Sequence, residues 1–380
     1  MFSCFRDNMD ENEKALMRNG GILLEKSIAF NNGRGNPIRC FSVEELQTAT
    51  NSYSQNNVIY EGGWHTHYKG FLRERPVIVK RYRTNIHERV CPINDIVFAS
   101  EMSRHKNVLK LLGCCLESEI PILVFEYAEK GNLHDYIYKT DSASFRRRLK
   151  IAVDAANVIA YLHTAFPRPV VHRHITLSNV WLDEDSVAKV TDFSLSMSIP
   201  EGETHIEDFV MGTCGYAAPE YARSGIFNEK IDVFSFGVLL LVLLTGQKPF
   251  QGNWENILKD ARFDEIIGSL IVEKVSWSEK KRQETFLTRT RQKLDLTIDP
   301  IIVEEGPWPE KEQQLKAVLM LGVQCIDPDE ENRQKLLMWQ NNSGIFISLL
   351  FLIVSASLLQ QHFSPFLHLY HFLIWLPCLC

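Results

Sequence analysis

Four places in the chain carry side chains of types that do chemistry. Gly62-Gly63 lies within the segment from Ile59 to Gly70, where missing side chains let a backbone approach an anion closely. Lys80 ends the β-branched run Val77-Ile78-Val79 and offers a positive charge. His172-Arg173-His174 is followed by Asn179, and an imidazole with an ordinary pKa of about 6.5 suits proton transfer near neutrality. Asp192, in Asp192-Phe193-Ser194, adds a carboxylate that can hold a cation. The first three have a plainer reading when taken alone: a β-hairpin, a solvated lysine, a packed histidine. The nine cysteines include no C-x-x-C spacing, which argues against a structural zinc site or a disulfide framework and for a reducing compartment.

The elements that must position these residues change character along the chain. Pro76 to Lys80 and Pro121 to Tyr127 are short β-branched or aromatic runs bounded by turn residues, so the first part reads as strand-rich. From about Ser144 helices dominate. Arg146 to His163 places Leu149, Ala152, Val153, Ala156, Ile159 and Ala160 on one face, and Asp232 to Thr245 is almost wholly apolar and therefore buried. The 380 residues suffice for one large two-lobed domain with short extensions, and 45% hydrophobic with 23% charged residues fits a globular core. A net charge of −6 gives no electrostatic reason to expect nucleic acid as a partner.

The order of several motifs resembles a plant receptor-like cytoplasmic kinase of the wall-associated-kinase type. They are Asn19-Gly20-Gly21-Ile22-Leu23-Leu24-Glu25, Phe41-Ser42-Val43-Glu44-Glu45-Leu46 with Ala49-Thr50-Asn51, Lys110-Leu111-Leu112-Gly113-Cys114-Cys115-Leu116-Glu117, Gly212-Thr213-Cys214-Gly215-Tyr216-Ala217-Ala218-Pro219-Glu220-Tyr221, and Asp232-Val233-Phe234-Ser235-Phe236-Gly237. Within that group the chain looks most like the small pseudokinases that serve as adaptors for leucine-rich-repeat immune receptors. The resemblance implies an α+β, bilobal protein-kinase-like fold. Residues 1–40 would be a flexible extension with a short docking stripe at Ile22-Leu23-Leu24, 41–126 the β-rich N-lobe, and 127–340 the helical C-lobe.

Phosphoryl transfer needs backbone amides around the phosphates, a lysine on them, metal-holding Asp and Asn side chains, and an Asp to take the substrate proton. By resemblance, Gly62, Gly63, Lys80, Asn179 and Asp192 are the nucleotide-binding residues, with Asn179 and Asp192 also the Mg²⁺ ligands. Departures are many. Tyr60 and His65 stand where the loop would have glycines, and His67 replaces a small apolar residue, so these side chains would crowd a phosphate or hold the loop open. Asp95 aligns with the glutamate that pairs with the lysine and is one methylene shorter, which implies a stretched or absent pair; Glu101 substitutes only if the register slips nearly two turns. His174 occupies the place of the proton-accepting aspartate, Thr176 that of a lysine, and Ser194 that of a glycine whose freedom would let the following segment swing. A bulkier imidazole does not hold a hydroxyl in the same geometry, and losing a positioned base costs on the order of 10²–10⁴-fold.

The scaffold residues are better kept than the chemistry. Glu220 is expected to pair with Arg333 inside the large lobe, and Asp232 to brace the catalytic loop. The pattern implies a pseudokinase: an adaptor or decoy in plant immune signalling, with weak or no binding of ATP and Mg²⁺. Its partners would be a leucine-rich-repeat immune receptor and other kinases. The alternative is a weakly active serine/threonine kinase. The segment from about Leu195 to Met211, with the acidic and hydroxyl-bearing stretch Glu201 to His205, would sense a second protein or a modification. The expected location is the cytoplasm or the plasma membrane; Phe2 excludes myristoylation, and Cys4 is a candidate for palmitoylation.

The tail 341–380 is different in kind. After Lys335 none of the remaining 45 residues is Asp, Glu, Lys or Arg, and Gly344 to Leu359 is a 16-residue apolar run. At ~1.5 Å per residue it spans about 24 Å, short of a ~30 Å hydrocarbon core. Pro365 keeps it from joining the second run, Phe366 to Cys380, as one straight helix. A membrane anchor, a hairpin dipping into one leaflet and a translated intron are the three accounts.

Overall fold

A computed structural model describes residues 9–31, 38–140, 143–249, 298–305, 311–327, 330 and 333. The tail 341–380, with its two apolar runs, lies outside the described residues, as do Phe2, Cys4 and Lys335. In chain order the elements are α1 (Glu11–Asn31), β1 (Arg39–Cys40), α2 (Val43–Ala49), β2 (Val58–Glu61), β3 (His65–Leu72), β4 (Arg75–Tyr82), α3 (Pro92–Met102), β5 (Leu111–Cys115) and β6 (Ile122–Glu126). There follow β7 (Gly131–Asn132), α4 (Leu133–Lys139), α5 (Phe145–Thr164), β8 (Val170–Val171), β9 (Val180–Leu182), β10 (Ala188–Val190), β11 (Met197–Ser198) and β12 (Ile206–Glu207). The last are α6 (Pro219–Ser224), β13 (Ile226–Phe227), α7 (Lys230–Thr245), α8 (Pro300–Glu304) and α9 (Lys311–Cys325).

Six strands form one sheet in the order β1-β5-β6-β4-β3-β2. All neighbours are antiparallel except β1 and β5. The parallel contact is possible because Gly113 has no side chain: a Cβ there would sit 2.1 Å from the Arg39 carbonyl oxygen. Just beyond β1, Ser42 caps α2 reciprocally with Glu45, satisfying two backbone donors at the helix start. Alternation puts every second side chain of a strand on the same face. In β3 this aligns His65 and His67, and His67 is registered directly opposite Lys80 of β4.

The helical part is organised around α7, whose sixteen residues are buried along the whole length. A helix apolar on all sides must be covered on all sides. Here α5 lies against one side and α9 against another. The single carboxylate in its first turn, Asp232, is fully buried and matched by donors: the His172 and Arg173 backbone N–H groups at 2.7 and 2.9 Å, and His163 Nε2 at 3.0 Å. Glu220 and Arg333 approach to 2.6 Å, with the Arg333 guanidinium 5.3 Å over the Phe234 ring.

The leader requires a correction. Residues 1–40 read as flexible, yet Glu11–Asn31 is a 21-residue helix laid against α3. Its two central glycines each cost about 1 kcal/mol of helix propensity, so local preference alone does not explain it; tertiary contacts do. Asn19 is buried and donates to the carbonyls of Leu116 and Ser118, both at 2.9 Å, while Lys26 reaches Asn94 at 2.8 Å. Near the end of α1 the Phe30 ring sits between Phe98 of α3, at 4.7 Å, and Phe166 beyond α5, at 5.2 Å. The helix thus touches both halves of the molecule. Among the described residues, no helix is long and apolar enough to cross a membrane.

Candidate functional site

The sheet and the helical part meet at Lys80, which is completely buried. Its Nζ donates to Asp95 Oδ2 and to Asp192 Oδ1, each at 2.7 Å. The shortened acid was expected to leave this pair stretched or absent; instead α3 is seated closely enough for aspartate to reach. Two further donors hold Asp95: the Tyr82 hydroxyl at 2.9 Å and the Phe193 N–H at 2.8 Å. Burial alone would lower the Lys80 pKa, but Asp192 and Asp95 outweigh it and raise it above the ordinary value. For Asp192 burial works upward, and the Lys80 charge with the His174 hydrogen bond brings it well below the usual carboxylate range. Lys80 and Asp192 are therefore charged together, as a buried ion pair must be to offset its desolvation.

His174 is inside this cluster. A carboxylate only accepts, so its Nδ1–H donates to Asp192 Oδ2, at 2.9 Å, and Nε2 is left facing the Thr213 hydroxyl at 3.0 Å. The Trp64 ring is packed 5.0 Å from the imidazole. Both nitrogens are thus engaged inside the protein, the Nε2 lone pair by the Thr213 hydroxyl. Ser194 donates to Asp192 Oδ1 at 2.7 Å, which pins the turn that a glycine would leave free. Asn179 spends its side-chain amide on the His174 carbonyl, at 2.9 Å. Thr176 is buried at the start of the short turn that carries Asn179.

Above Asn179 the space between the two halves is filled by rings. His67 of β3 and Trp181 of β9 stand with centroids 5.0 Å apart, Tyr60 lies 5.6 Å from His67 and 6.3 Å from Trp181, and His65 lies 4.8 Å from His67. His65 and His67 are buried, and burial followed by the Lys80 charge pushes His65 well below its ordinary pKa and His67 down to about 3. His172, also buried, is pushed down to about 4. Tyr60 is raised by burial. Among the described residues, both nitrogens of His65, Nδ1 of His67 and the indole N–H groups of Trp64 and Trp181 have no hydrogen-bond partner. Gly62 is also enclosed, with Tyr60 and His65 within 3.3 Å of where a Cβ would lie, whereas no described residue comes within 4 Å of a Cβ at Gly63.

The profile for "Protein tyrosine and serine/threonine kinase" matches residues 53–264. The chain belongs to the protein kinase family. Its relatives in Arabidopsis thaliana include "Non-functional pseudokinase ZED1", 39% identical over 73% of this chain and 85% of that protein. "Serine/threonine-protein kinase ZRK1" is 35% identical over 73% of the chain and 86% of its own length. "Wall-associated receptor kinase-like 6" is 42% identical over 64% of this chain, which spans only 39% of that longer protein.

In this kinase-family chain the six-stranded sheet and α3 form the N-lobe and the helices around α7 the C-lobe, with Lys80 and Asp192 between them. A kinase domain is built to take ATP with Mg²⁺, and the residues present do not fit that ligand as they stand. A purine is about as thick as one aromatic ring, and a base held between two walls separates them by about 7 Å; His67 and Trp181 are in edge contact instead. The metal-facing oxygens of Asp192 are taken by Lys80, Ser194 and His174. Crowding by Tyr60 and His65 was visible in the sequence. Trp64 and Trp181 were missed, although a tryptophan two residues past Asn179, in an otherwise aliphatic strand, was the available signal.

Proposed function

We propose that this kinase-family chain is a pseudokinase whose fold serves as a binding surface rather than as a phosphotransferase. The supporting observation is the filled cleft: His67 touches Trp181, and His174 stands in the base position with both nitrogens engaged. Lys80 and Asp192, retained in type, have become a tie between the lobes, and Asn179 braces the catalytic loop. In this reading Glu220, Arg333 and Asp232 hold the C-lobe in shape, and Asp95 fixes α3. The resemblance to pseudokinase adaptors points to a leucine-rich-repeat immune receptor as partner, in plant defence signalling, with active kinases as further partners.

The test is incorporation of labelled phosphate by the purified chain, beside Lys80→Arg, which keeps the charge that both carboxylates need. No transfer above background is expected, and millimolar ATP with Mg²⁺ should not raise the melting temperature, since only a ligand of the folded state does so. Robust transfer that Lys80→Arg abolishes would overturn the proposal. A second reading, a weak serine/threonine kinase, is favoured by the name of the relative ZRK1. It requires the ring cluster to part, and an ATP-dependent melting shift would then be seen. The adaptor role is tested separately by co-purification from plant tissue, and recovery without any such receptor counts against it.

A further inference from the structure

The segment Leu195 to Met211, read from sequence as a sensor of modification, is already fixed in place. Short ladders tie β11 to β8 and β12 to β13. Near its end lies Asp208, whose side chain is nearly buried and held from both lobes. Arg173 of the C-lobe brings Nη1 to 3.0 Å from Asp208 Oδ2, and Arg89 of the N-lobe brings Nη1 to 3.2 Å from Oδ1. Each carboxylate oxygen therefore has its own arginine.

Arg173 is preorganised for this task. Its backbone is left-handed, φ 66°, and its N–H is anchored on Asp232. The guanidinium also donates to the carbonyls of Leu195, at 3.3 Å, and Phe209, at 3.0 Å, and to the Tyr221 hydroxyl, at 2.7 Å; the Phe227 ring lies 4.4 Å away. Arg89 stacks on Phe209 at 4.7 Å. The main chain of Asp208 is set as well: its N–H donates to the Gly225 carbonyl at 3.0 Å. Gly225 has φ 74°, and a Cβ there would lie 2.7 Å from the Asp208 carbonyl oxygen. Two convergent guanidinium groups make a site for an oxyanion, and in kinases such pairs order this segment around a phosphorylated residue.

We propose that Arg89 and Arg173 form an anion site which Asp208 occupies from within, so that this segment is ordered, and the lobes joined, without phosphorylation. The carboxylate supplies permanently what a phosphate would supply on demand. This goes beyond the absence of transfer: it states that the surface built by the segment is constitutive.

Hydrogen exchange of the full chain, read at the amides from Ile206 to Met211, tests it with inorganic phosphate as probe. In the unaltered protein exchange should be slow and indifferent to phosphate. Asp208→Ala should exchange at least about tenfold faster there, the loss expected for a charge-assisted contact, and phosphate at about 50 mM should restore protection by refilling the vacated site. Adding Arg89→Ala to that variant should abolish the rescue. Unchanged exchange in Asp208→Ala overturns the proposal, and so does a folded Asp208→Ala that phosphate does not protect. Should Asp208→Ala not fold, Arg89→Ala in the otherwise native chain decides, because Arg89 is partly exposed: faster exchange confined to these amides supports the proposal, and unaltered exchange overturns it.

Discussion

Replacing Lys80 by alanine should damage the fold. The ammonium is the shared partner of two fully buried carboxylates at 2.7 Å, and its removal leaves two negative charges facing each other out of water. Breaking one buried pair costs about 3–5 kcal/mol. Two pairs break here, but the survivors keep other donors: Tyr82 and the Phe193 N–H for Asp95, Ser194 and His174 for Asp192. A loss of about 3–5 kcal/mol in total is therefore expected, which lowers Tm by roughly 6–20 °C for a domain of this size. The measurement is urea unfolding followed by circular dichroism, with Lys80→Ala/Asp95→Asn alongside. Removing one of the stranded charges should recover part of the loss. A Lys80→Ala variant less than about 1 kcal/mol below the native chain would refute the structural role assigned to this lysine.

Acid should weaken the protein well before its carboxylates titrate. His65, His67 and His172 have folded-state pKa values held below the ordinary one, at about 3 for His67 and about 4 for His172. The unfolded chain thus binds more protons, so their stabilisation is complete above about pH 6.5 and falls as pH drops toward the folded values, by up to ~1.4 kcal/mol per pH unit for each histidine. Urea midpoints between pH 7.5 and 5 measure this, and a flat profile contradicts neutral burial. His67→Val with Trp181→Leu should open the cleft, giving an ATP-dependent rise in Tm that the native chain lacks; no rise would mean other rings close the space. Phe30→Ala should cost about 2 kcal/mol, less than the 3–5 of a fully buried phenylalanine, and should speed exchange in α3; an unperturbed α3 contradicts the docking of α1.

Several residues of the candidate site lie in short local patterns that are legible in the sequence: a β-branched run closing on Lys80, a loop from His172 to Asn179, a turn at Asp192. What escaped has a different origin. The Lys80–Asp95 distance depends on how far α3 sits from β4, which no local pattern encodes. The α1 helix contains glycines that lower its intrinsic preference, and its support comes from Leu116, Ser118 and Phe98, remote in the chain. Period-two alternation in His65-Thr66-His67 would have put both imidazoles on the Lys80 face, whereas their contact with Trp181 needs the two lobes brought together. Asp208 and Arg89 are far apart in sequence, and nothing near either one announces the other.

The ammonium of Lys80 binds one carboxylate on α3 and one on the turn after β10, so a single side chain rivets the lobes together. An enzyme of this fold gains from hinging, because substrate must enter and product leave. A partner gains from the opposite. Association loses free energy to every loop and side chain that must be immobilised on contact, and a surface that is already stiff avoids that loss. On the adaptor reading proposed above, the same lysine that would serve turnover in an open cleft would instead stiffen the molecule into a template, whose partner meets one shape instead of selecting it from many.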